Sequence, residues 1–332
     1  MRRSTQKFFS AATLIAGFLL ALANCAAADS GSNPAIAGYA PVSVEMQAVK
    51  VSPHVYFVQG KAGAATDNKG FISNAGFVVT SKGVVVFDAL GTPSLAVELY
   101  KKIREVTSQP VKIVVMSHYH ADHVYGLQVF KDMGAEIYAP AGAIDYLSSA
   151  TSDNLLAQRR KDLKPWIDAR THLVPADHYL KDDTEFSLGD MTFKLSLLGS
   201  AHSEGDMAML VEPDQVLFTG DIIFEGRIPF IGESNTRNWL LQLEKLKSAK
   251  VSALIPGHGP MARNPNKLIA STHRYLSYLR EQMGQAVKNW IGFDQAYDQV
   301  DWSEFEFQPA FMEANRRNAY NVYLAMEKES FD

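Results

Sequence analysis

Beyond residue 44 the hydrophobic positions alternate between two textures: short continuous runs closed by glycine or polar turns, and stretches with apolar residues three or four apart. The runs predict buried strands, and the spaced stretches predict amphipathic helices. Strands are expected at 55–58, 76–80 and 84–87, the last two joined by Ser81-Lys82-Gly83. A helix over 93–106 follows, then a strand at 113–116, a helical pattern through Val124, Leu127 and Phe130, and a short strand at 135–138. Residues 141–170 are helical and charged, with Pro165 interrupting, and predict a covering helical pair. Four more strands are expected at 185–188, 191–198, 207–211 and 215–218. Asn235 caps a helix over 236–247, and a last strand at 253–256 runs into Gly257-His258-Gly259.

A block of strands, then helices with parallel-type strands, then the same again, predicts two half-domains. The expected fold is α/β, a four-layered αβ/βα sandwich over residues 44–263. Residues 264–332 hold no strand signal and form a helical C-terminal extension, with helices over 265–288 and 312–328 and a linker through Trp302. The Gly- and Asn-rich stretch 61–74 reads as a hairpin flap over the site.

The first 28 residues read as a cleaved signal peptide, and 29–43 as a flexible arm. Arg2, Arg3 and Lys7 form the basic region, residues 11–23 the apolar one, and Ala26-Ala27-Ala28 the cleavage site. The apolar stretch falls short of the roughly 20 residues a membrane span needs. Arg2-Arg3 partly resembles a twin-arginine leader and Leu22-Ala23-Asn24-Cys25 a lipoprotein site, with Thr5 and Asn24 as the departures. The expectation is a periplasmic or secreted protein. Cys25, the only cysteine, lies in the leader, so the mature chain has neither disulfide nor thiol ligand. The formal net charge of −4 becomes −7 once the three basic leader residues are removed. An acidic chain without Lys/Arg runs argues against nucleic-acid binding.

The chemistry is concentrated in 111–130, VKIVVMSHYHADHVYGLQVF, where His118, His120, Asp122 and His123 crowd the end of a buried strand. Such a crowd is costly unless something pairs with its nitrogens and oxygens, and these are ligands suited to Zn²⁺. Four exceed what one tetrahedral catalytic ion uses, so two metals are expected. Asp88, His202, Asp221 and His258 stand at four further strand ends beside small residues. His54, His172, His178 and His273 match no motif.

His118-x-His120-x-Asp122-His123, with His202, Asp221, His258 and upstream Asp88, resembles the metallo-β-lactamase superfamily over residues 44–260. The resemblance implies that His118, His120 and His202 hold one metal, that Asp122, His123 and His258 hold a second, and that Asp221 bridges them. Asp88 would support the loop from behind the ligands. The implied cofactor is two Zn²⁺ per chain, with iron or manganese as the other occupants. Asp122 and Asp221 would orient a metal-bridging hydroxide for attack on an ester-like bond: thioester, lactone or carboxylic ester. A carboxylate at Asp221 is similar to glyoxalase II, lactonases and phosphodiesterases, whereas true β-lactamases lack it. His120 stands where the flavodiiron branch has Glu. Phe224 to Phe230 and Asn315-Arg316-Arg317-Asn318-Ala319 resemble exported zinc metallohydrolases of the quinoprotein-relay type, implying a periplasmic quinoprotein or sulfur-oxidation partner. The rival readings are a β-lactamase-like amide hydrolase, an iron-dependent persulfide dioxygenase and an accessory protein of a quinoprotein system. Tyr119 and Arg227 are the candidate substrate contacts; the tail aromatics read as helix packing.

Overall fold

A computed structural model describes residues 1, 36–232 and 234–331. The expected leader, with Arg2, Arg3, Lys7 and Cys25, lies outside the described residues. Every element below belongs to one compact unit, Gly38–Asp332. Among the described residues no helix is long and apolar enough to cross a membrane.

Seven strands form the first sheet in chain order: β1 (Val49–Lys50), β2 (Val55–Val58), β3 (Ala75–Thr80), β4 (Gly83–Phe87), β5 (Val111–Val115), β6 (Glu136–Pro140) and β7 (His178–Leu180). Pairing is antiparallel up to β4 and parallel from there on. The change follows from the connections. A tight turn joins β3 to β4, whereas helix α1 (Pro93–Val106) carries the chain back across the sheet before β5. Thr92 caps α1, its hydroxyl accepting from Leu95 N–H at 3.0 Å.

The second sheet runs β12-β11-β10-β9-β8, from β8 (Thr184–Leu188), β9 (Met191–Gly199), β10 (Asp206–Glu212), β11 (Val216–Phe218) and β12 (Ala253–Ile255). Only β11 and β12 pair in parallel, because helix α2 (Thr236–Leu246) crosses between them. Asn235 caps this helix through Asn238 N–H at 3.0 Å, as its sequence predicts.

Strand alternation sorts the valines and aromatics into layers. Val85 and Phe87 of β4 join Phe57, Val78 and Val115 and meet Phe193, Met209, Phe218 and Ile255 of the second sheet, which fills the space between the sheets. On the second sheet's other face, Leu198, Leu217 and Leu254 pack with Trp239 and Leu243 of α2. The same cluster takes in Leu276, Leu279 and Met283 of α3 (Pro265–Lys288) and Ala319 and Val322 of α4 (Phe311–Glu329). The αβ/βα sandwich and its C-terminal helical region are thus both present.

Some elements differ from expectation. The edge strands β1 and β7 and the helix Phe293–Gln299 are too short to show a periodic pattern. The helix expected after the histidine turn is broken into Ala121–Val124 and Leu127–Asp132 at Tyr125-Gly126. A Cβ on Gly126 would lie 2.0 Å from Ala89 O, so the break permits a close approach of two backbones. The segment 61–74 is built of turns, tied by Lys61 N–H to Phe71 O at 3.0 Å, with Phe71 buried beneath. Of the arm, residues 38–43 hydrogen-bond through Gly38, Tyr39, Pro41 and Ser43 to Arg170, Gln128, Trp166 and Lys69.

Candidate metal centre

Each chemistry-bearing residue stands just past the C-terminal end of a strand, where the sheet fixes its direction. Asp88 follows β4, the histidine turn follows β5, His202 follows β9, Asp221 follows β11, and His258 follows β12. The ligand-type atoms fall into two groups: His118, His120, His202 and Asp221, and Asp122, His123 and His258. Within each group they lie within 4.8 Å of one another. Asp221 also touches the second group, with Oδ1 3.2 Å from His123 Nε2 and Oδ2 3.3 Å from His258 Nε2. His120 and Asp122 are half-buried and the other five are buried, so each group reaches solvent through one member.

Hydrogen bonds behind the rings fix which nitrogens face inward. His123 Nδ1–H donates to Asp88 Oδ2 at 2.8 Å, His118 Nδ1–H to Ser117 Oγ at 2.9 Å, and His258 Nδ1–H to Ile72 O at 2.7 Å. Each leaves an Nε2 lone pair pointing into the cluster. Asp88 holds the turn further, accepting from Ser117 N–H at 2.7 Å and Ser117 Oγ–H at 2.8 Å. It does so in the left-handed region, at φ 61.

The cluster as drawn by protein atoms alone is unsatisfied. His120 Nδ1 lies 3.0 Å from His118 Nε2 and 2.9 Å from His202 Nε2. With its Nδ1–H spent on Ser117, His118 brings no proton to its contact. His123 Nε2 and Asp221 Oδ1 are buried without a hydrogen-bond partner; their 3.2 Å approach is close but misaligned. A cation supplies what is missing. Bonds of about 2.0–2.1 Å in a tetrahedron put neighbouring ligand atoms about 3.3 Å apart. The close approaches here run from 2.9 to 3.9 Å, so the donor set fits divalent metal.

Burial and charge divide the imidazoles in the same way. Burial, with neighbouring histidines, pulls His118 well below its ordinary value, lowers His120, and lowers His202 to about 3. Burial also opposes protonation of His123 and His258, but Asp221 and Asp122 outweigh it and raise both. Asp221 is buried and Asp122 half-buried, yet His123 and His258 hold both below the carboxylate range. The carboxylates of Asp122 and Asp221 thus favour positive charge on the side of the second group.

Tyr119 is buried beside His120, the two rings 5.2 Å apart. Its ring stacks on Tyr146 at 4.1 Å and its hydroxyl accepts from Glu204 N–H at 3.2 Å. Arg227 is half-buried, with Nε toward Ile228 O at 3.4 Å and Nη1 lacking a hydrogen-bond partner. His54, His178 and His273 pair with Asp214, Glu136 and Glu244, outside both groups. Sequence reasoning missed Asp206, whose Oδ2 accepts from Ala201 N–H at 3.2 Å and Ser203 N–H at 2.9 Å and so shapes the turn that carries His202. It also missed Asn74, which donates to Pro256 O and Gly259 O, both at 2.8 Å, on either side of His258. The signal was their adjacency to a loop glycine or a strand end, which many polar residues share.

Residues 68–258, more than half of the chain, match the metallo-beta-lactamase superfamily. Metallo-beta-lactamase IND-1 of Chryseobacterium indologenes is 25% identical over 215 residues, covering 63% of this chain and 80% of that protein. Metallo-beta-lactamase type 2 of Elizabethkingia meningoseptica is 27% identical over 193 residues, covering 57% and 69%. Among solved structures, a metallo-beta-lactamase from Pontibacter korlensis aligns at TM-score 0.55 and 19% identity, over 70% of this chain and 99% of that one. The sec-alkylsulfatase Pisa1 from Pseudomonas sp. aligns at TM-score 0.64 and 16% identity, over 84% of this chain and 50% of its own. At these identities the structural likeness speaks to the fold. The chain belongs to the metallo-beta-lactamase superfamily, and its two His/Asp groups make it a metal-dependent hydrolase.

Proposed function

We propose that the chain is an exported dinuclear zinc hydrolase that cleaves an ester-like bond: a thioester, lactone or carboxylic ester. The observation that carries this reading is Asp221, one buried carboxylate within 3.4 Å of a nitrogen in each group. In this assignment His118, His120 and His202 hold one ion, Asp122, His123 and His258 the other, and Asp221 both. Ions bound there supply Lewis acidity and a water acidic enough to act as nucleophile near neutral pH. The protein's share is orientation. Asp122 is the half-buried carboxylate that incoming water reaches, and with Asp221 it accepts the hydrogen bonds that aim that water. Both stay ionised, so they direct a proton rather than store one. Asp88, Ser117 and Ile72 keep the imidazoles from turning. Export rests on the leader pattern at 1–28.

The test is turnover of a thioester, lactone and carboxylic ester panel by protein stripped with chelator and reloaded with zinc. Asp122→Asn should retain protein folding and lower kcat by about 10² or more, in the range for a lost proton-directing group. Full activity in the stripped protein would sink the proposal. A second reading is favoured by the relatives, which are named metallo-beta-lactamases. Nitrocefin turnover abolished by His118→Ala, with no ester cleavage, would favour amide over ester hydrolysis.

A further inference from the structure

Helix α4 carries Asn315-Arg316-Arg317-Asn318-Ala319, to which the metal groups assign no task. Asn318 is fully buried and brackets Phe230: its Nδ2–H donates to Pro229 O at 2.7 Å, and its Oδ1 accepts from Ile231 N–H at 3.0 Å. Held between these bonds, Phe230 turns its ring against His120, with centroids 6.5 Å apart and planes at 77°. The guanidinium of Arg317 lies over the same Phe230 ring, 5.6 Å from its centroid. One aromatic ring therefore separates an exposed cation from the half-buried histidine of the first group.

Arg317 stands apart from its neighbours. Arg237, Arg274, Arg280 and Arg316 each hold a carboxylate at 2.7 Å. Arg317 makes no ion pair among the described residues. A guanidinium laid on an aromatic ring loses little further freedom on binding and keeps an outer edge of N–H donors that matches a carboxylate's two oxygens. Arg227, the other cation of this wall, is less able to serve, being half-buried and turned toward Ile228 O.

We propose that Arg317 is a specificity-determining residue that binds an anionic group, such as a carboxylate, on the non-reacting part of the substrate at the His120 side of the mouth. The inference rests on the hydrolytic reading for the identity of the reacting bond. It narrows the substrate class to ester-like compounds that carry a negative charge on the acyl side or the leaving side.

The experiment compares p-nitrophenyl esters of glutaric acid and pentanoic acid, similar in reach and different in charge, on the full zinc-loaded protein. Arg317→Gln keeps a flat group over Phe230 and removes the charge. It should raise KM for the glutarate ester about tenfold, as expected for a lost charge-assisted hydrogen bond, with kcat within about twofold. KM for the pentanoate ester should stay unchanged, and Arg317→Lys should recover part of the loss. Equal effects on both esters, or none on either, overturn the proposal. Should the wild type cleave neither ester, the carboxylic-ester reading falls, and titration calorimetry with glutarate decides Arg317 separately. Roughly tenfold weaker binding by Arg317→Gln then supports the subsite, and equal binding refutes it.

Discussion

At the scale of single residues, the site depends on which atoms are allowed to carry protons. Asp88 is the clearest case, because its carboxylate accepts from His123 Nδ1–H, Ser117 N–H and Ser117 Oγ–H at once. Asn tolerates the left-handed backbone at φ 61, so Asp88→Asn preserves the turn while placing an N–H donor where an acceptor is needed. Metal affinity should fall about 10–100-fold, the usual cost of losing a partner behind a ligand, with stability lowered by about 1–3 kcal/mol for the mismatched buried donors. An unaltered affinity in a competition titration would contradict the role given to Asp88. Asp206 makes a pH prediction. Burial raises its carboxyl from 3.8 to about 7 despite the bonds from Ser203 and Ala201. A raised carboxyl binds its proton more tightly folded than unfolded, so its stabilisation is full below pH 3.8 and is lost as pH rises through about 7. Metal-free wild type should thus lose stability across that window relative to Asp206→Asn, measured by urea unfolding at several pH values. Parallel pH profiles for the two proteins would be the contrary result.

At the scale of elements, the strands and their ends were largely legible from sequence. Continuous runs such as Val84–Val86 can only be buried, and polar residues immediately after them can only belong to a site or a turn. The bracket around Phe230 was not legible, because it joins Asn318 to Pro229 across 89 positions of chain. Likewise a lone asparagine or aspartate at 74 or 206 carries no periodic or spacing signal; only the folded loops show what it holds. Tyr119 shows another limit: its ring does lie beside His120, 5.2 Å away, but its stacking on Tyr146, 27 positions on in the chain, could not be read from its place between two ligands. The bracket has its own test. Asn318→Ala leaves a buried carbonyl and N–H unpaired, at about 1–3 kcal/mol each, and frees the wall beside His120. The expected outcome is lower stability and a several-fold loss in kcat/KM with metal content unchanged. Loss of metal together with activity would instead show that α4 supports the ligands themselves.

At the scale of the molecule, two sheets face each other across a shared apolar layer, and their strand ends meet at one rim, where both ligand groups stand. The first sheet contributes Asp88 and the histidine turn, and the second contributes His202, Asp221 and His258. Neither sheet alone can assemble either group, so metal binding should report directly on the docking of the two halves. The C-terminal helices cover the second sheet's outer face and reach the rim through Phe230. The central claim is that one carboxylate, Asp221, unites two ions. Metal content by mass spectrometry on purified wild type and Asp221→Asn tests it most directly, with oxygen uptake followed in parallel. The account predicts two zinc equivalents per wild-type chain, weakened retention of both in the variant, and no oxygen consumption. One iron per chain with oxygen consumed on a persulfide substrate would contradict it.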